Sequence, residues 1–331
     1  MKSGGEAEFM TNDFDIGQNS VLENLCNLTG VSGYENRVVK YLFNILKNEA
    51  TNDVYIDNVG NLVVYKKGSE GTKKILLTAH VDEVGFQVLK KKSDIEYQVK
   101  TLGNIKTWNA VHQKVKSNSA TAVLYPCKEN IQANEYENLL LICDECVNIG
   151  DVFSFDSDLV ETEKFFRGKS VDNRISCFCL YNLITKQIKT KADIYFVFTV
   201  QEEITMRGAR VAKTSIQPDL SINVDVSPEC ENNSLIAGEG VGLKMSDGIG
   251  VSDTDTVNFT KEICIKDNIK YQMEVSNCGT TELIITNELD YGSKELGISI
   301  PCKYIHTANT IVYKNDIENC IQLLCNILAA N

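Results

Sequence analysis

The sequence predicts an α/β fold, in which a central mixed sheet flanked by helices is interrupted by a small β-rich module. Helical periodicity and apolar runs alternate in residues 1–85 and again after residue 165. Residues 194–200 form a continuous apolar run, which is typical of a strand in a sheet covered on both faces. Between residues 86 and 164 the pattern changes to short alternating stretches separated by turn residues, and long helical periodicity is scarce.

The first part of the chain, residues 1–85, begins with helical patterns and ends in strands. Apolar residues recur at helical spacing in residues 21–28 and 38–46. Ser32 and Glu35 precede the second of these helices at the spacing of a capping box. Residues 54–56 and 62–65 predict two strands joined by a turn, and the apolar run 75–79 then leads to His80.

The second part, residues 86–164, is interpreted as a β-rich insertion rather than as a continuation of one sheet. The third part, residues 165–331, returns to helix–strand alternation. Residues 175–183 have a helical apolar face, residues 220–226 form a strand, and a strand near residues 298–305 leads to His306. The last helix places Ile317, Ile321, Leu324 and Leu328 on one face.

Charge and cysteine content argue against several classes of partner and site. The formal net charge of −12 argues against nucleic acid or anionic membranes as main partners. Many of the 12 cysteines lie inside apolar runs, which indicates reduced core cysteines in a cytoplasmic protein. Cys143 and Cys146 form a lone CxxC without a second pair at zinc spacing, so they do not indicate a zinc site.

Residues that can bind metals recur at or just after the apolar runs. Four of these five stretches directly follow a predicted strand, and the carboxyl ends of strands in an open α/β sheet meet at one edge. We therefore expect the stretches to lie close together. They contain His80 and Asp82; Asp172; Glu202 and Glu203; Asp225; and His306.

This set of side chains fits hydrolysis at two metal ions. Two histidines and three carboxylates, one of them shared, can hold two divalent ions that clamp a water and a carbonyl. One further carboxylate is then needed as a general base. Glu202 and Glu203 are adjacent, so on an extended backbone their side chains point apart and can take different roles.

The sequence resembles metallopeptidase family forty-two, the glutamyl and leucyl aminopeptidases. This family includes the TET-type aminopeptidases and proteins called cellulase or endoglucanase M. The resemblance extends over nearly the whole chain and depends on the combination of its motifs. These are Ser32-Gly33-Tyr34-Glu35, His80-x-Asp82-Glu83-x-Gly85, Leu102-Gly103 with Trp108, Ile149-Gly150-Asp151, Asp172-Asn173-Arg174, Gln201-Glu202-Glu203 with Arg207-Gly208-Ala209, Asp225-Val226, Gly279-Thr280, and Ile300-Pro301 to His306.

The resemblance implies a dizinc aminopeptidase-like catalytic domain that uses two divalent ions, zinc or cobalt, to remove N-terminal residues from peptides through a metal-bridging hydroxide. It also implies that the insertion is an oligomerisation domain and that the chain forms a homo-oligomer, a TET dodecamer. The resemblance implies that His80 and Asp225 bind one ion, that Glu203 and His306 bind the other, and that Asp172 bridges the two. It also implies a cis peptide bond after Asp172. Glu202 is implied as the general base, and Asp82 as the carboxylate that orients His80.

Two stretches and one single residue depart from the family pattern, the single residue being Thr205, which replaces a usual glycine after the Glu202-Glu203 pair. Residues 278–282 read Cys-Gly-Thr-Thr-Glu where the family has Gly-Gly-Thr-Asp-Ala, in a loop that borders the substrate pocket of relatives. Residues 307–310 read Thr-Ala-Asn-Thr where the family has Ser-Pro-x-Glu. A carboxylate that supports the second metal site is therefore expected to be missing, which would weaken that site.

Other functions fit parts of the pattern. Dizinc dipeptidases, carboxypeptidases and deacylases share the order of ligand residues, but their first motif usually continues with Val-Pro, where this chain has Glu83-Val84-Gly85. A glycoside hydrolase needs two carboxyl groups and no metal, so histidines in ligand order do not favour it. A non-catalytic oligomeric scaffold would retain the same residues without turnover.

Overall fold

The structure is a computed structural model that describes residues 19–48, 53–127, 139–186, 188–287 and 292–331. It contains a large mixed sheet flanked by helices and a small closed barrel, which confirms the predicted α/β class. Within the described ranges the helices are α1 (Asn19–Asn27), α2 (Asn36–Leu46), α3 (Val171–Thr185), α4 (Glu202–Thr205), α5 (Arg207–Ile216), α6 (Thr254–Lys266), α7 (Leu283–Asn287) and α8 (Lys314–Ala330).

The strands follow the sequence pattern closely, including the predicted hairpin near residue 58. In the same ranges they are β1 (Asp53–Ile56), β2 (Leu62–Lys66), β3 (Lys74–His80), β4 (Gly85–Lys91), β5 (Glu96–Leu102), β6 (Lys114–Lys116), β7 (Thr121–Pro126), β8 (Leu139–Ile142), β9 (Val152–Phe155), β10 (Val160–Glu161), β11 (Phe165–Gly168), β12 (Asp193–Thr199), β13 (Leu220–Pro228), β14 (Val241–Ser246), β15 (Tyr271–Val275), β16 (Lys294–Lys303) and β17 (Thr310–Tyr313).

The large sheet has a parallel centre and antiparallel margins. Its main path runs β1-β2-β12-β3-β13-β16-β17-β11-β10, with β14 and β15 attached beside β16. The pairs β12–β3, β3–β13 and β13–β16 are parallel. Their register places Thr199 opposite His80 and Asp225 opposite Ser299. The ends of β3 and β12 are therefore level, which brings the residues that follow them to the same height.

Helices cover both faces of this sheet. Successive side chains of a strand point to opposite faces. On β3, Ile75 and Leu77 belong to the main buried cluster, which also contains the apolar faces of α1, α2, α3, α6 and α8. Leu76, between them, packs in a second cluster with Ala212 and Ile216 of α5. This two-sided burial explains why the central strands are continuously apolar in sequence.

The β-rich segment folds as a closed barrel of strands in the order β4-β5-β8-β7-β6-β9. In β5, β7 and β8 buried positions alternate with more exposed ones, so one face of each of these strands fills the interior. Phe86 and Phe155 meet edge to face in this interior, with ring centroids 5.3 Å apart. The predicted limits of 86 and 164 stay a prediction. Within them, β10 pairs with β11 of the large sheet rather than with the barrel.

Among the described residues, none of the helices combines the length and apolar character needed to cross a membrane.

Replacing Phe155 with alanine is expected to lower the free energy of unfolding by about 3–5 kcal/mol, because the ring is buried in the barrel core. Tyr125→Ala is the matched control, since that ring lies on the barrel surface and is 37% exposed. Trp108 is the chain's only tryptophan and lies between β5 and β6, so urea unfolding followed by its fluorescence reports on the barrel. Equal losses in the two variants would contradict the barrel core described above.

Candidate metal centre

Five strands of the large sheet end at the same edge. The central strands β12, β3, β13 and β16 are mutually parallel. Strand β17 is antiparallel to both β16 and β11, so β11 runs in the same direction as the central four. Residues that follow these strands therefore converge on one crevice, which is where open α/β sheets bind ligands.

The structure brings the sequence-predicted site residues together at this edge. The seven residues come from five strands or from the segments that follow them. His80 ends β3 and Asp82 follows it, Asp172 lies in the first turn of α3 after β11, Glu202 and Glu203 begin α4 after β12, Asp225 lies within β13, and His306 follows β16 by three residues.

The carboxylate of Asp172 lies between the two imidazoles. Its Oδ1 is 3.1 Å from Nε2 of His80, and its Oδ2 is 3.1 Å from Nε2 of His306. Asp172 is 7% exposed, so both contacts are shielded from solvent. The peptide bond between Asp172 and Asn173 is cis, as the resemblance implied.

The donor atoms around Asp172 form two groups. His80, Asp172 and Asp225 form one, and Asp172, Glu203 and His306 form the other; in each, the ligand-type atoms lie within 4.8 Å of one another. Nε2 of His80 is 3.6 Å from Oδ1 of Asp225, and Nε2 of His306 is 3.3 Å from Oε2 of Glu203. The two groups share Asp172.

The second nitrogen of each imidazole is also held. Nδ1 of His80 lies 3.4 Å from Oδ1 of Asp82 and 3.3 Å from the Asp82 carbonyl oxygen. Nδ1 of His306 lies 2.9 Å from the carbonyl oxygen of Asn104, which follows β5 of the barrel. Such contacts leave Nε2 facing the site and fix the ring orientation.

The support of His306 includes a backbone contact that the sequence did not predict. Thr307, one of the residues that replace the family pattern, donates its hydroxyl to the Tyr304 carbonyl oxygen at 2.6 Å. Nδ1 of His306 contacts the backbone carbonyl of Asn104, and the expected loss of a supporting carboxylate at residues 307–310 stays a prediction. Any residue type can supply a backbone carbonyl, so nothing in the sequence could have identified this contact.

Asp82 ties three segments together. Its Oδ1 accepts the N–H of Glu202 at 3.0 Å, and its Oδ2 accepts the N–H of Glu203 at 3.1 Å. The hydroxyl of Ser32 donates to the same Oδ2 at 2.5 Å. Asp82 therefore fixes the backbone from which both glutamates project, in addition to contacting His80.

The predicted capping box at Ser32 and Glu35 is wrong. Helix α2 begins at Asn36, so its N-cap residue is Glu35 and not Ser32, and Glu35 makes no side-chain cap hydrogen bond. Oε1 of Glu35 instead accepts the N–H groups of Gly33 at 2.7 Å and Gln201 at 3.0 Å. Burial, reinforced by the charge of Asp82, raises the pKa of Glu35 to about 7. Both residues support the site and not the helix end.

Glu202 is the buried acid next to the two groups. It is 8% exposed, and its Oε2 lies 3.9 Å from Nε2 of His80. Burial raises the pKa of Glu202 well above its usual value; the charge of His80 opposes this shift, whereas Asp225 and Glu203 reinforce it. Burial also raises the pKa of Glu203.

The charges of the site are strongly coupled through Asp172. Burial alone would lower the pKa values of His80 and His306, but the neighbouring carboxylates raise both well above the usual range. Burial would raise the pKa of Asp172, but its hydrogen bonds with His306 and His80 lower it. The charge on Asp172 and the charges on the two imidazoles therefore stabilise one another.

A buried cluster of charged side chains lies near His80, and it was not predicted from the sequence. Nζ of Lys169 is 2.9 Å from Oε2 of Glu83, and Nη2 of Arg174 is 3.6 Å from Oε1 of Glu83. Glu83 also accepts the N–H of Gly30 at 2.8 Å. Glu83 and Arg174 lie close to Asp82 and Asp172 in the motifs that carry the family resemblance. This proximity in sequence could have identified them as residues that support the site.

The site opens into a cavity of about 490 Å³. Its lining includes Ile249, Cys278, Thr280, Thr281 and Ile284 together with the site carboxylates. Asp247 also borders the cavity, but its oxygens accept the N–H groups of Ile249, Gly250 and Thr281 and the Thr281 hydroxyl. The other carboxylates that line the cavity are those of Asp172, Glu203 and Asp225 in the two donor groups and that of Glu202.

The donor set fits divalent metal ions. Oε1 of Glu203 is buried without a hydrogen-bond partner, an arrangement that is costly unless another ligand satisfies it. Imidazole and carboxylate donors together suit zinc and related transition metals. Both donor groups combine one histidine with two carboxylates, so each could hold one ion while sharing Asp172.

Comparison with known families gives a match over most of the chain. A sequence model of the family described as M42 glutamyl aminopeptidase matches residues 60–126 and 130–323. A protein of Acetivibrio thermocellus, whose name assigns aminopeptidase activity provisionally, is 31% identical over 324 residues. That alignment covers 92% of this chain and 96% of the relative.

Solved structures give the same result for the fold. An aminopeptidase from the archaeon Desulfurococcus kamchatkensis superimposes with a TM-score of 0.89 at 25% identity, covering 95% of each chain. A Pyrococcus horikoshii TET1 peptidase, described as assembling into a tetrahedron or a large octahedral shell, has a TM-score of 0.82 at 22% identity. The superposition covers 94% of this chain and 98% of that one.

Proposed function

We propose that this chain, which belongs to the M42 glutamyl aminopeptidase family, removes N-terminal residues from peptides at a site holding two divalent metal ions. Membership of the family makes it a peptide hydrolase, and the metal dependence of that family agrees with the donor groups. The observation that carries the proposal is the position of Asp172, with one carboxylate oxygen 3.1 Å from each histidine.

The proposed ligands divide between the two ions. His80 and Asp225 would hold one ion, Glu203 and His306 the other, and Asp172 would contribute an oxygen to each. Zinc or cobalt suits this set of imidazole and carboxylate donors. When bound, the ions would supply Lewis acidity, which polarises the peptide carbonyl and makes water more acidic.

Glu202 is proposed as the general base. It lies 3.9 Å from His80 but is in neither donor group, so its carboxylate is available for proton transfer. Its raised pKa favours accepting a proton from the attacking water and returning it to the leaving amine. Both transfers would occur at the same carboxylate, so Glu202 would end the cycle in its starting state.

Asp82 is proposed to position this machinery rather than to transfer a proton. Its carboxylate contacts Nδ1 of His80 and accepts both backbone N–H groups of Glu202 and Glu203. Loss of Asp82 would therefore disturb a proposed ligand and the proposed base together. The charge on Asp82 is supported by the hydroxyl of Ser32.

We also propose that the chain forms a homo-oligomer through the barrel. The structural similarity to a TET1 peptidase that assembles into closed shells supports this proposal. The barrel segment exposes large apolar side chains, among them Leu89, Ile95 and Ile149, which is 71% exposed. Exposed apolar surface is a common feature of protein interfaces. A dodecamer is the proposed form.

Substituting glutamine for Glu202 is expected to lower kcat by about 10²–10⁴-fold while both ions remain bound, because glutamine cannot accept the proton. The measurements are turnover of an aminoacyl chromogenic substrate with a free amino group and metal content by elemental analysis. Glu262→Gln, on the exposed face of α6, is the matched control and should retain both. Near-normal turnover in Glu202→Gln would show that another group is the base.

Light scattering coupled to size-exclusion chromatography tests the proposed assembly. The native chain is expected to elute as a dodecamer, and Ile149→Asp is expected to reduce its size by placing a charge in an apolar contact. Ile236→Asp is the control, since Ile236 is 55% exposed but lies outside the barrel. A monomeric native chain would refute the assembly without affecting the proposed chemistry.

A further inference from the structure

Two cysteines meet at the rim of the cavity. Sγ of Cys230 lies 3.5 Å from Sγ of Cys278. Cys230 is exposed and Cys278 is half-buried, so both thiols are near solvent. By contrast, Cys26, Cys177, Cys179, Cys264, Cys302 and Cys320 are buried.

Paired backbone holds these two thiols together. Asn233 and Ser276 form an antiparallel bridge, and the N–H of Asn277 donates to the Asn232 carbonyl at 2.8 Å. The Ser276 hydroxyl also accepts the N–H of Cys278 at 3.2 Å and lies 3.3 Å from its Sγ. The approach of the sulfurs therefore follows from the fold of both segments.

This cysteine pair is connected directly to the cavity wall. Cys278 itself lines the cavity and precedes Gly279, Thr280 and Thr281. The Gly279 carbonyl accepts the N–H of Gly248 at 2.9 Å, which links this segment to the loop carrying Ile249. Cys230 follows β13, the strand that carries Asp225. A movement of either sulfur would therefore be passed to a wall of the cavity.

We propose that Cys230 and Cys278 are a site of reversible disulfide formation by low-molecular-weight disulfides such as oxidised glutathione, and that the bond impairs substrate entry. The bond itself requires only the two thiols, whereas its effect on substrate rests on the proposed function. The sulfurs must approach from 3.5 Å to about 2.05 Å, a movement of roughly 1.5 Å. Residues 278–281 line the cavity and would take up part of this movement, which would shift the cavity lining.

The reaction balances as two thiol–disulfide exchanges. The thiolate of one cysteine attacks a sulfur of oxidised glutathione, which forms a mixed disulfide and releases one glutathione thiolate. The second cysteine thiolate then attacks the protein sulfur of that mixed disulfide and releases the second glutathione thiolate. The two cysteines lose two electrons and two protons, and one oxidised glutathione becomes two reduced glutathione molecules.

The test equilibrates the metal-loaded protein with reduced or oxidised glutathione, blocks free thiols, and maps its peptides by mass spectrometry. The expected product is a cross-linked peptide pair containing Cys230 and Cys278, which disappears when reduced glutathione is added. Activity on the chromogenic substrate is measured in parallel. KM is expected to rise at least threefold on oxidation with a smaller change in kcat, and to return on reduction.

Cys230→Ser is expected to keep the activity of the reduced protein and to lose the redox response. Cys146→Ser, which removes another exposed cysteine, should retain the response. No cross-link in excess oxidised glutathione, or a cross-link without a change in KM, would overturn the proposal. Absence of peptidase activity in the reduced protein would instead refute the proposed function, because the cross-link is detected by mass alone.

Discussion

The carboxylate of Asp172 lies between imidazoles carried by two different parts of the sheet, and the site depends on this contact. His80 ends a central strand, whereas His306 follows a strand farther along the sheet, and Asp172 arrives from β11 at the same edge. The parallel direction of these strands makes the meeting possible. The long sequence separation explains why a single motif could not reveal the site.

The site contains several buried carboxylates, and neighbouring groups offset part of their negative charge. Backbone N–H groups neutralise part of the charge on Asp82. Burial raises the pKa of Asp225, and the charges of His80 and, more weakly, Lys244 oppose this shift. Divalent ions would offset the remaining carboxylate charge. The buried cluster of Glu83, Lys169 and Arg174 fixes the backbone on the other side of His80.

Much of this was accessible from the sequence, because periodicity and strand ends follow local rules. The apolar run 194–200 predicted a strand covered on both faces, and the short alternating stretches after residue 86 predicted the β-rich unit. The family resemblance is confirmed by the match to the family's sequence model. The features that were predicted wrongly or not at all depend on long-range contacts. Ser32 and Glu35 have the spacing of a helix cap, yet they bond to Asp82 and Gln201. The contact of Asn104 with His306 uses a backbone carbonyl, which has no sequence signature.

The most direct measurement is anomalous diffraction from crystals grown with zinc, with data collected on both sides of the zinc absorption edge. Two peaks are predicted, about 3.5–4 Å apart as in other two-metal sites. One should contact His80 and Asp225, and the other Glu203 and His306, with Asp172 between them. A single peak at full zinc occupancy, or peaks that do not contact Asp172, would contradict a two-ion site built on this carboxylate.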